Sequence, residues 1–169
     1  TATTEIYTLS LHDALPDLYN RILAEDIQST VDDPRFDNSA MDGFAFQYSD
    51  STQPPAVLSI KQTLQAGTDE QLTTIEPGQA VRIMTGAPIP NGADAILPIE
   101  RCSISDDGSE VTLHDEGKKH FIRKQGENLK RGQTALTKGT LFSPSSVGLC
   151  ATMGIEVKWK SGTIGIVGS

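Results

Sequence analysis

Short apolar runs, several of them alternating with polar positions, recur along the chain and predict β-strands. β-Branched residues are frequent in these runs, and turn pairs such as Asn91-Gly92 and Asp107-Gly108 lie between them. The segment TALTKGTLF predicts a tight hairpin about Lys138-Gly139, whereas RILAEDI (21–27) is compatible with a strand or with the end of a helix. The pattern predicts a mainly β protein. The five clearest runs are AVLSIKQTL (56–64), AVRIM (80–84), AILPI (95–99), EVTLH (110–114) and EVKWK (156–160).

Two segments have the signals of a helix. Residues 10–13 resemble a capping box with Asp in place of Glu, which predicts a short helix through about Tyr19. The second signal is stronger, because Ser143 can cap a helix, Pro144 suits its first position and Gly154 can end it. We therefore expect about two short helices. The apolar face of the second helix would consist of Val147, Leu149, Cys150 and Met153.

The last run, TIGIVGS, is continuous rather than alternating, which is typical of a strand buried on both faces of a parallel sheet. Gly168 and Ser169 would open a loop at its carboxyl end, as after the first strand of a further domain. At the other end, TATTEIYTLS has no Met, no basic segment and no apolar segment, so we expect no signal peptide. The missing Met indicates either processing or a fragment cut from a longer chain, and the last run favours a fragment.

Composition narrows the class of protein. Of the 169 residues, 37% are hydrophobic and only 5% are aromatic, so the core must be mainly aliphatic. The net charge of −8 argues against nucleic acid as the main partner, and the chain has no run of 18 apolar residues that would span a membrane. Cys102 and Cys150 lie far apart and lack metal-ligand spacing, as do the three histidines. We therefore expect a cytoplasmic protein with two reduced, buried thiols, rather than a disulfide or a metal ligand.

Two polar turns interrupt apolar segments and are candidates for chemistry. In FDNSAMDGFAF (36–46), Asp42-Gly43 is either an ordinary turn or a carboxylate presented to orient water, bind Mg²⁺ or move a proton. In RIMTGAPIPNGADA (82–95), Thr85-Gly86 is either a plain strand-to-loop turn or a nest whose N–H groups approach an anion. Spacing alone favours the structural interpretation of each turn.

A third segment, KKHFIRKQGENLKRG (118–132), contains six of the 14 basic residues of an acidic protein. It is either a strand edge blunted by lysines or a rim that attracts anions. A Ser-His-Asp order, a Walker loop and the pattern G-x-G-x-x-G are all absent from the sequence. Taken separately, these residues do not name a function.

Taken together and in order, the three segments resemble the signatures of the MoeA/gephyrin family. FDNSAMDGFAF is similar to F-D-x-S-x-M-D-G-[YF]-A, and RIMTGAPIPNGADAILPIE is similar to R-I-x-T-G-A-x-[VI]-P-x-G-x-[DE]-[AT]-[VI]-[VI]. IRKQGEN followed by L-x-x-G is similar to R-x-x-G-E-D-x-x-x-G. The resemblance spans about residue 9 to the end of the chain, with the motifs at spacings similar to those of the family.

The resemblance implies the N-terminal region of such a protein, with a complex fold of coiled and bifurcated β-sheets. Domain I would comprise residues 1–28 and 132–163, and domain II would comprise residues 29–131. Residues 164–169 would begin an α/β molybdopterin-binding domain that the chain does not contain. Family members are elongated homodimers whose active site lies between that α/β domain and this region of the other subunit. We therefore expect this chain not to catalyse alone.

The activity implied is that of a molybdopterin molybdotransferase, which transfers molybdate to the dithiolene of adenylylated molybdopterin, releases AMP and is assisted by Mg²⁺. Asp42, Thr85 and Asn128 would be catalytic, with Asp42 orienting water, binding Mg²⁺ or handling protons. The Thr85 loop would donate hydrogen bonds to an oxyanion. The molybdopterin adenylyltransferase is a candidate partner. The substrate-binding residues would be Ser39, Gly86, Arg123, Lys124 and Glu127, the two basic ones drawing the anion in.

Two departures from the family pattern leave alternatives open. Asn128 stands where the G-E-D turn of the family has Asp, so a residue able to act as a base or a metal ligand loses its charge. Gln125 stands where Arg is frequent. A non-catalytic scaffold and a plain β-rich dimerisation module therefore remain alternatives to the enzyme, and the physiological oxyanion is either molybdate or tungstate.

Overall fold

The computed structural model describes residues 21–67, 73–155, 157–160 and 163–166, the last two stretches as backbone only. The helix expected from Ser10 to Tyr19 and the loop expected at Gly168-Ser169 lie outside the described residues. No helix in the described stretches is long and apolar enough to cross a membrane.

Strands provide most of the regular structure of these stretches, which confirms the prediction of a mainly β protein. All five runs that the sequence marks as strands form strands, with ends that differ by at most one residue. The helical elements of the described stretches are α1 (Pro144–Met153) and the 3₁₀ helices Tyr48–Ser51, Ile99–Arg101 and Lys119–Phe121. The strands are β1 (Ile27–Gln28), β2 (Asn38–Ser39), β3 (Gly43–Phe46), β4 (Ala56–Leu64), β5 (Gln79–Ile83), β6 (Ala95–Pro98), β7 (Cys102–Ile104), β8 (Glu110–Leu113), β9 (Ile122–Arg123), β10 (Thr134–Leu136), β11 (Val157–Lys160) and β12 (Thr163–Ile166).

The chain divides into two compact units. The first unit comprises residues 1–33 and 128–169, and the second unit comprises residues 34–127. The second unit is built on a six-stranded sheet in the order β6-β3-β5-β4-β8-β7. Neighbouring strands of this sheet are antiparallel except for the parallel pair of β4 and β5. β3 therefore lies inside the sheet, hydrogen bonded to β5 on one side and to β6 on the other.

Apolar side chains cover both faces of this sheet, so the second unit has two apolar clusters. Phe44, Phe46 and Leu97 belong to the cluster on one face, and Ala45 and Ile83 belong to the cluster on the other. All four residues of β3 are buried. A strand that is covered on both faces has no position for a solvated side chain, which explains why the sequence GFAF does not alternate.

Gly43 is required by the close packing of backbone within the sheet. It lies opposite Ile83 of β5 and opposite Pro98 of β6. A Cβ atom at position 43 would lie 2.1 Å from the carbonyl oxygen of Leu97. Because backbone cannot move aside as the end of a flexible side chain can, any side chain here would push β3 away from β6.

In the first unit, the strands pair differently from the sequence prediction. β1 pairs antiparallel with β10, and an isolated bridge joins Ile22 to Leu141, so the segment RILAEDI is strand-like rather than the end of a helix. The turn at Lys138-Gly139 is present, but its two arms pair with this segment instead of with each other, so the predicted hairpin is wrong. The turn itself is held to the segment, because the N–H of Gly139 donates to the carbonyl oxygen of Leu23 at 2.8 Å.

The helix predicted from Ser143 to Gly154 is confirmed as α1. The Ser143 hydroxyl accepts a hydrogen bond from the backbone N–H of Ser146 at 3.2 Å, and Pro144 lies in the first turn. Gly154 ends the helix in the left-handed conformation, with a φ of +68°. The expected apolar face packs in the core of the first unit, where Val147, Cys150 and Met153 are buried and Leu149 is partly buried.

The run TIGI forms β12, which pairs antiparallel with β11, Val157 lying opposite Ile166. The prediction that this run belongs to a parallel sheet is therefore wrong for this chain. Two residues separate the two strands, whereas parallel neighbours need a crossover connection of roughly a dozen residues or more. A short connection permits antiparallel pairing alone.

Both cysteines are free thiols, as the sequence predicts. Cys150 is buried in α1, but Cys102 is only partly buried at the start of β7. Burial raises the pKa of Cys150 to about 11. Burial, together with the negative charge of Glu100, raises the pKa of Cys102 to about 12. Both thiols are therefore protonated near neutral pH and are poor nucleophiles.

Aspartate side chains fasten loops to distant segments by accepting hydrogen bonds from backbone N–H groups. In the first unit, Asp26 accepts from Lys138 at 2.7 Å and Asp32 accepts from Arg131 at 2.9 Å. Each bond gives a partner to an amide outside the regular strand pairing. In the second unit, bonds of this kind join Asp50 to Gly78 at 2.9 Å, Asp94 to Tyr48 at 2.6 Å and Asp37 to Gln125 at 2.8 Å.

We expect the substitution Gly43→Ala to destabilise the second unit by roughly 2–3 kcal/mol, because the added methyl group meets the backbone of β6. Equilibrium urea unfolding followed by circular dichroism measures the change in the free energy of unfolding. A Gly43→Ala variant as stable as the parent would contradict the close packing of β3 against β6.

Gly148→Ala in α1 is the matched control for this substitution. A Cβ atom at position 148 meets no neighbouring atom within 4 Å outside the helix backbone. Alanine is favoured over glycine in a helix by about 1 kcal/mol. The same chemical change should therefore be neutral or stabilising at this position.

Candidate functional site

Two hydrogen bonds to one carboxylate oxygen join the turn at Asp42 to the loop at Thr85. Asp42 Oδ1 accepts from the hydroxyl of Thr85 at 2.7 Å and from its backbone N–H at 2.7 Å. The pKa of the Asp42 carboxyl is lowered from its usual value, mainly by the hydrogen bond from the Thr85 hydroxyl and next by the bond from the Thr85 N–H. Asp42 is exposed to solvent and is ionised at neutral pH.

Neighbouring strands bring these two residues together. Asp42 directly precedes β3 and Thr85 follows β5 by two residues, and the two strands pair with Gly43 opposite Ile83. Asp42 is also fixed to the other neighbour of β3, because its carbonyl oxygen accepts from the N–H of Ile99 at 3.0 Å. The carboxylate is therefore positioned by the sheet on both sides.

Ser39 and Gly86 fasten the two turns to each other. The N–H of Gly86 donates to the carbonyl oxygen of Ser39 at 2.8 Å. The N–H of Ser39 donates in turn to the carbonyl oxygen of Ala87 at 3.0 Å. The Ser39 hydroxyl is buried, donates to the carbonyl oxygen of Met41 at 2.5 Å and accepts from its N–H at 3.2 Å. Gly86 has a φ of +82°, which glycine adopts without strain. Both residues position the Asp42–Thr85 pair, and the Ser39 hydroxyl is used within its own turn.

The Asp42–Thr85 pair presents acceptor atoms to its surroundings. The N–H and the O–H of Thr85 both point at Asp42, so neither is aimed at an oxyanion in the way that the sequence suggests. The atoms of the pair that remain able to accept a hydrogen bond or to bind a cation are Asp42 Oδ2 and Thr85 Oγ1. Oxygen atoms of this kind suit a cation or an N–H donor. A single carboxylate oxygen is compatible with Mg²⁺, which usually keeps several waters in proteins.

The two basic side chains expected to draw in an anion both have carboxylate partners. Arg123 Nε lies 2.9 Å from Glu127 Oε1, and Lys124 Nζ lies 2.7 Å from Asp37 Oδ2. The side-chain bond from Arg123 is the main reason that the pKa of Glu127 is lowered, and the bond from Lys124 is the main reason that the pKa of Asp37 is lowered. Two positive and two negative charges lie together, so the cluster has little net attraction for an anion.

The same carboxylates shape the loop that bears these side chains. Glu127 also accepts from the N–H of Lys124 at 2.8 Å, and Asp37 accepts from the N–H of Gln125 at 2.8 Å. Pairing of β2 with β9 joins this loop to the strand that precedes the Asp42 turn. Gln125 uses its backbone N–H in this contact, which an arginine would supply equally. The departure from the family pattern at this position therefore leaves the loop geometry intact.

Asn128 lies in the first unit and is bonded to Asp33. Its Nδ2 donates to Asp33 Oδ2 at 2.9 Å, and its backbone N–H donates to the Asp33 carbonyl oxygen at 3.0 Å. The uncharged amide is therefore a donor that caps a turn. The other residues proposed from the sequence all lie in the second unit: Ser39, Asp42, Thr85, Gly86, Arg123, Lys124 and Glu127.

Arg82 is a residue of this region to which the sequence interpretation assigned no role. It lies in β5, opposite Phe44, and its Nε atom is buried without a hydrogen-bond partner in the described part of the chain. A charged residue inside the apolar run AVRIM is a signal that could have drawn attention to it. Arg82 is the first residue of the segment RIMTGAPIPNGADA, but roles were assigned only to the polar turn at Thr85-Gly86 that follows the strand.

An open groove of about 580 Å³ lies beside β6 in the second unit. Arg101 and Asp115, which both line it, form an exposed salt bridge of 3.5 Å. Within the described stretches, no group of three or more His, Cys, Asp or Glu residues is arranged to hold a metal ion. The lining combines apolar, basic and acidic side chains: Pro54, Leu97, Pro98, Arg101, Asp115, Glu116, Lys118 and Phe121.

Comparison with known proteins identifies relatives over most of the chain. The family model for the MoeA N-terminal region (domain I and II) matches residues 2–154. A molybdopterin molybdenumtransferase of Haemophilus influenzae is 42% identical over 146 residues, which cover 85% of this chain and 35% of that protein. Molybdopterin molybdenumtransferase 2 of Mycobacterium tuberculosis is 38% identical over 138 residues, covering 79% of this chain and 34% of that protein.

A solved structure shows the same relationship at the level of the fold. The molybdopterin biosynthesis MoeA protein from Pyrococcus horikoshii matches with a TM-score of 0.77 at 29% sequence identity, over 90% of this chain and 39% of that chain. The chain spans about a third of the length of the curated relatives that it matches. The family model covers nearly all of the sequence, and the chain belongs to the MoeA N-terminal region family.

Proposed function

We propose that this chain is the N-terminal part of a molybdopterin molybdotransferase, which inserts molybdate into adenylylated molybdopterin and releases AMP. The observation that carries the proposal is the Asp42–Thr85 pair, joined at 2.7 Å by two hydrogen bonds and held in place by the sheet. Relatives named molybdopterin molybdenumtransferase share this part of the chain, which supports the assignment. The chain supplies one side of the active site and does not catalyse alone.

The domain division follows from the same proposal. Domain I comprises residues 1–28 and 132–163, domain II comprises residues 29–131, and residues 164–169 begin the α/β domain that binds molybdopterin. The two compact units of the structure support the division between domains I and II, with boundaries a few residues away. Residues 164–169 fall in the first unit, where β12 pairs with β11, so their assignment to the α/β domain rests on the family resemblance alone. The full-length enzyme acts as a cytoplasmic homodimer and receives its substrate from the molybdopterin adenylyltransferase. The names of the relatives favour molybdate over tungstate as the oxyanion.

Asp42 acts as a fixed negative charge in this proposal. Because its pKa is lowered, it is a weak base near neutral pH and orients water or a cation rather than delivering a proton. Mg²⁺ bound through Asp42 Oδ2 would neutralise the charge of substrate phosphates. Thr85 holds the carboxylate in position through its N–H and its hydroxyl.

The basic loop contributes less to direct binding than its sequence suggests. Arg123 and Lys124 each face a carboxylate, and both pairs are partly exposed to solvent, which screens them. Their roles as binding residues would require the substrate to displace Glu127 or Asp37. We propose that Glu127 chiefly shapes the loop.

The contact made by Asn128 supports a structural explanation of the one feature that favours a non-catalytic scaffold. Asn128 replaces an acidic residue of the family pattern, but its Nδ2 donates to Asp33 at 2.9 Å. A carboxylate at this position would face another carboxylate. Asn128 is therefore explained by the turn that it caps, and we propose that its contribution to catalysis is through the geometry of that turn.

Asp42→Asn separates the charge of Asp42 from its hydrogen bonds, because an amide oxygen can still accept from Thr85. We expect the full-length variant to lose roughly 100-fold or more of its activity, and Asp42→Ala to lose at least as much. The measurements are recovery of molybdoenzyme activity in cells lacking their own insertase, and release of AMP by the purified full-length protein.

Asp107→Asn is the matched control for the charge of Asp42. Asp107 accepts from the hydroxyls of Ser105 and Ser109 at 2.7 Å and 2.8 Å, in the turn between β7 and β8 at the opposite edge of the sheet. Its substitution should leave activity unchanged. If Asp42→Asn and Asp42→Ala are as active as the wild type while folded, Asp42 belongs to an ordinary turn and the plain dimerisation module becomes the better interpretation.

Asn128→Asp would place two carboxylates 2.9 Å apart, at the distance now spanned by the hydrogen bond to Asp33. We expect a loss of about 0.5–1 kcal/mol of stability at neutral pH, because like charges repel even where solvent screens them. The pKa of the new carboxyl would be raised, so the folded state would bind more protons than the unfolded state. Stability should therefore fall as the pH rises through the range of roughly 4 to 6.

Urea unfolding at several pH values between roughly 4 and 8 tests this expectation. The double substitution Asp33→Asn with Asn128→Asp reverses the donor and the acceptor and should restore the stability of the parent at neutral pH. An Asn128→Asp variant with the stability of the parent throughout this range would show that the amide of Asn128 does not matter to the turn.

A further inference from the structure

The side chain of Arg82 has an unusual environment for an arginine. Its Nε atom is buried and, in the part of the chain that the structure describes, has no hydrogen-bond partner. A guanidinium group has five N–H donors and no acceptor, so it is satisfied only by oxygen atoms. A buried donor without a protein partner is rare in native proteins and points to strain, to a functional role, or to a water or an ion that completes the set.

The register of the sheet places Arg82 close to the Asp42–Thr85 pair. Arg82 lies opposite Phe44, and Asp42 precedes Phe44 by two residues on the same strand path. If the alternation of β3 continued one residue beyond its first residue, Asp42 would be a diagonal neighbour of Arg82. Diagonal neighbours lie roughly 7–8 Å apart, which is within the reach of a long side chain. Arg82 as a whole is partly exposed, although its Nε atom is buried.

The residues directly opposite Arg82 on the neighbouring strands carry no charge. Leu97 lies opposite Phe44 on β6, and Thr63 lies opposite Arg82 on β4. The residues aligned with Arg82 across these strands, Leu97, Phe44 and Thr63, are therefore all uncharged. The salt bridges found among the described residues have Arg101, Lys119, Arg123 and Lys124 as their cations.

We propose that Arg82 binds a tetrahedral oxyanion of the substrate beside the Asp42–Thr85 pair, an assignment that rests on the proposed function. Asp42 and Thr85 present acceptors, which suit a cation, whereas Arg82 presents N–H donors, which suit molybdate or a phosphate of adenylylated molybdopterin. The two parts of the site are thus complementary. Arginine matches this geometry better than lysine, because its donors form a planar fork.

The test uses full-length protein with Arg82→Gln and with Arg82→Lys, which keeps the charge but lacks the Nε donor. Isothermal titration calorimetry with inorganic molybdate and, separately, with AMP measures oxyanion binding without requiring turnover. Steady-state assays vary molybdate and adenylylated molybdopterin in turn. Arg101→Gln is the matched control, because it removes the same charge from an exposed arginine in the same unit.

We expect Arg82→Gln to weaken binding or to raise the half-saturating concentration about tenfold or more for one of the two oxyanions, with Arg82→Lys intermediate and Arg101→Gln unchanged. An effect on molybdate assigns Arg82 to the metal oxyanion, and an effect on the nucleotide assigns it to the phosphate. Saturating substrate should recover most of the activity of Arg82→Gln, which a merely structural role would not allow.

Unchanged binding of both probes to a folded Arg82→Gln variant overturns the inference. An equal loss of activity at all substrate concentrations, accompanied by a lower Tm, also overturns it, because Arg82 would then be a structural residue. If Arg82→Gln does not fold, Arg82→Lys decides by the same criteria. If the wild-type protein binds molybdate but has no transferase activity, the proposed function is wrong. The comparison of molybdate binding between wild type and Arg82→Gln then still tests the role of Arg82.

Discussion

The closeness of β3 to β6 is the constraint on which the second unit depends. Gly43 lies where a Cβ atom would approach the carbonyl oxygen of Leu97 to 2.1 Å, so the backbones of the two strands can meet only at a glycine. The next residue toward the N-terminus is Asp42, whose carboxylate joins the loop after β5. One short stretch of chain therefore provides both a close approach of two strands and an exposed carboxylate of the site. The packing of the sheet therefore constrains residue 43, and the proposed chemistry constrains residue 42 beside it.

In the second unit, the carboxylates of Asp37 and Glu127 are paired with basic side chains. Asp37 faces Lys124 at 2.7 Å, and Glu127 faces Arg123 at 2.9 Å. Asp42 differs, since the hydrogen-bond partners of its carboxylate are neutral donors of Thr85 and it forms no salt bridge in the described residues. The site combines a rim of salt-bridged carboxylates with one carboxylate that has only neutral partners. A cation or a proton-bearing group of the substrate would meet that carboxylate first.

Local signals in the sequence predicted the elements well. The strand bounds follow β-branched runs, and α1 follows from its serine cap, its first-turn proline and its terminal glycine, because each of these acts on residues nearby. The failures concern pairing partners. The arms of the turn at Lys138-Gly139 find residues more than 100 positions away, and no local pattern encodes that choice.

The site shows the same division between local and distant information. The motifs drew attention to Asp42 and Thr85 separately, but they could not reveal that the two residues are in contact and that both donors of Thr85 are used by Asp42. Nor could they reveal that the Ser39 hydroxyl is buried in its own turn. Hydrogen-bond direction depends on tertiary geometry, whereas residue type alone identifies only what a side chain is able to do.

The bonds from aspartate side chains to distant backbone amides have a consequence for how this chain can evolve. In each of them one partner is a specific carboxylate, but the other is an N–H group that every residue except proline possesses. Lys138, Arg131, Gln125 and Tyr48 could each be exchanged without losing the bond that their amides make. Such contacts would leave no paired substitutions in a set of related sequences. Methods that infer proximity from correlated changes would therefore be blind to the links that hold these loops in place.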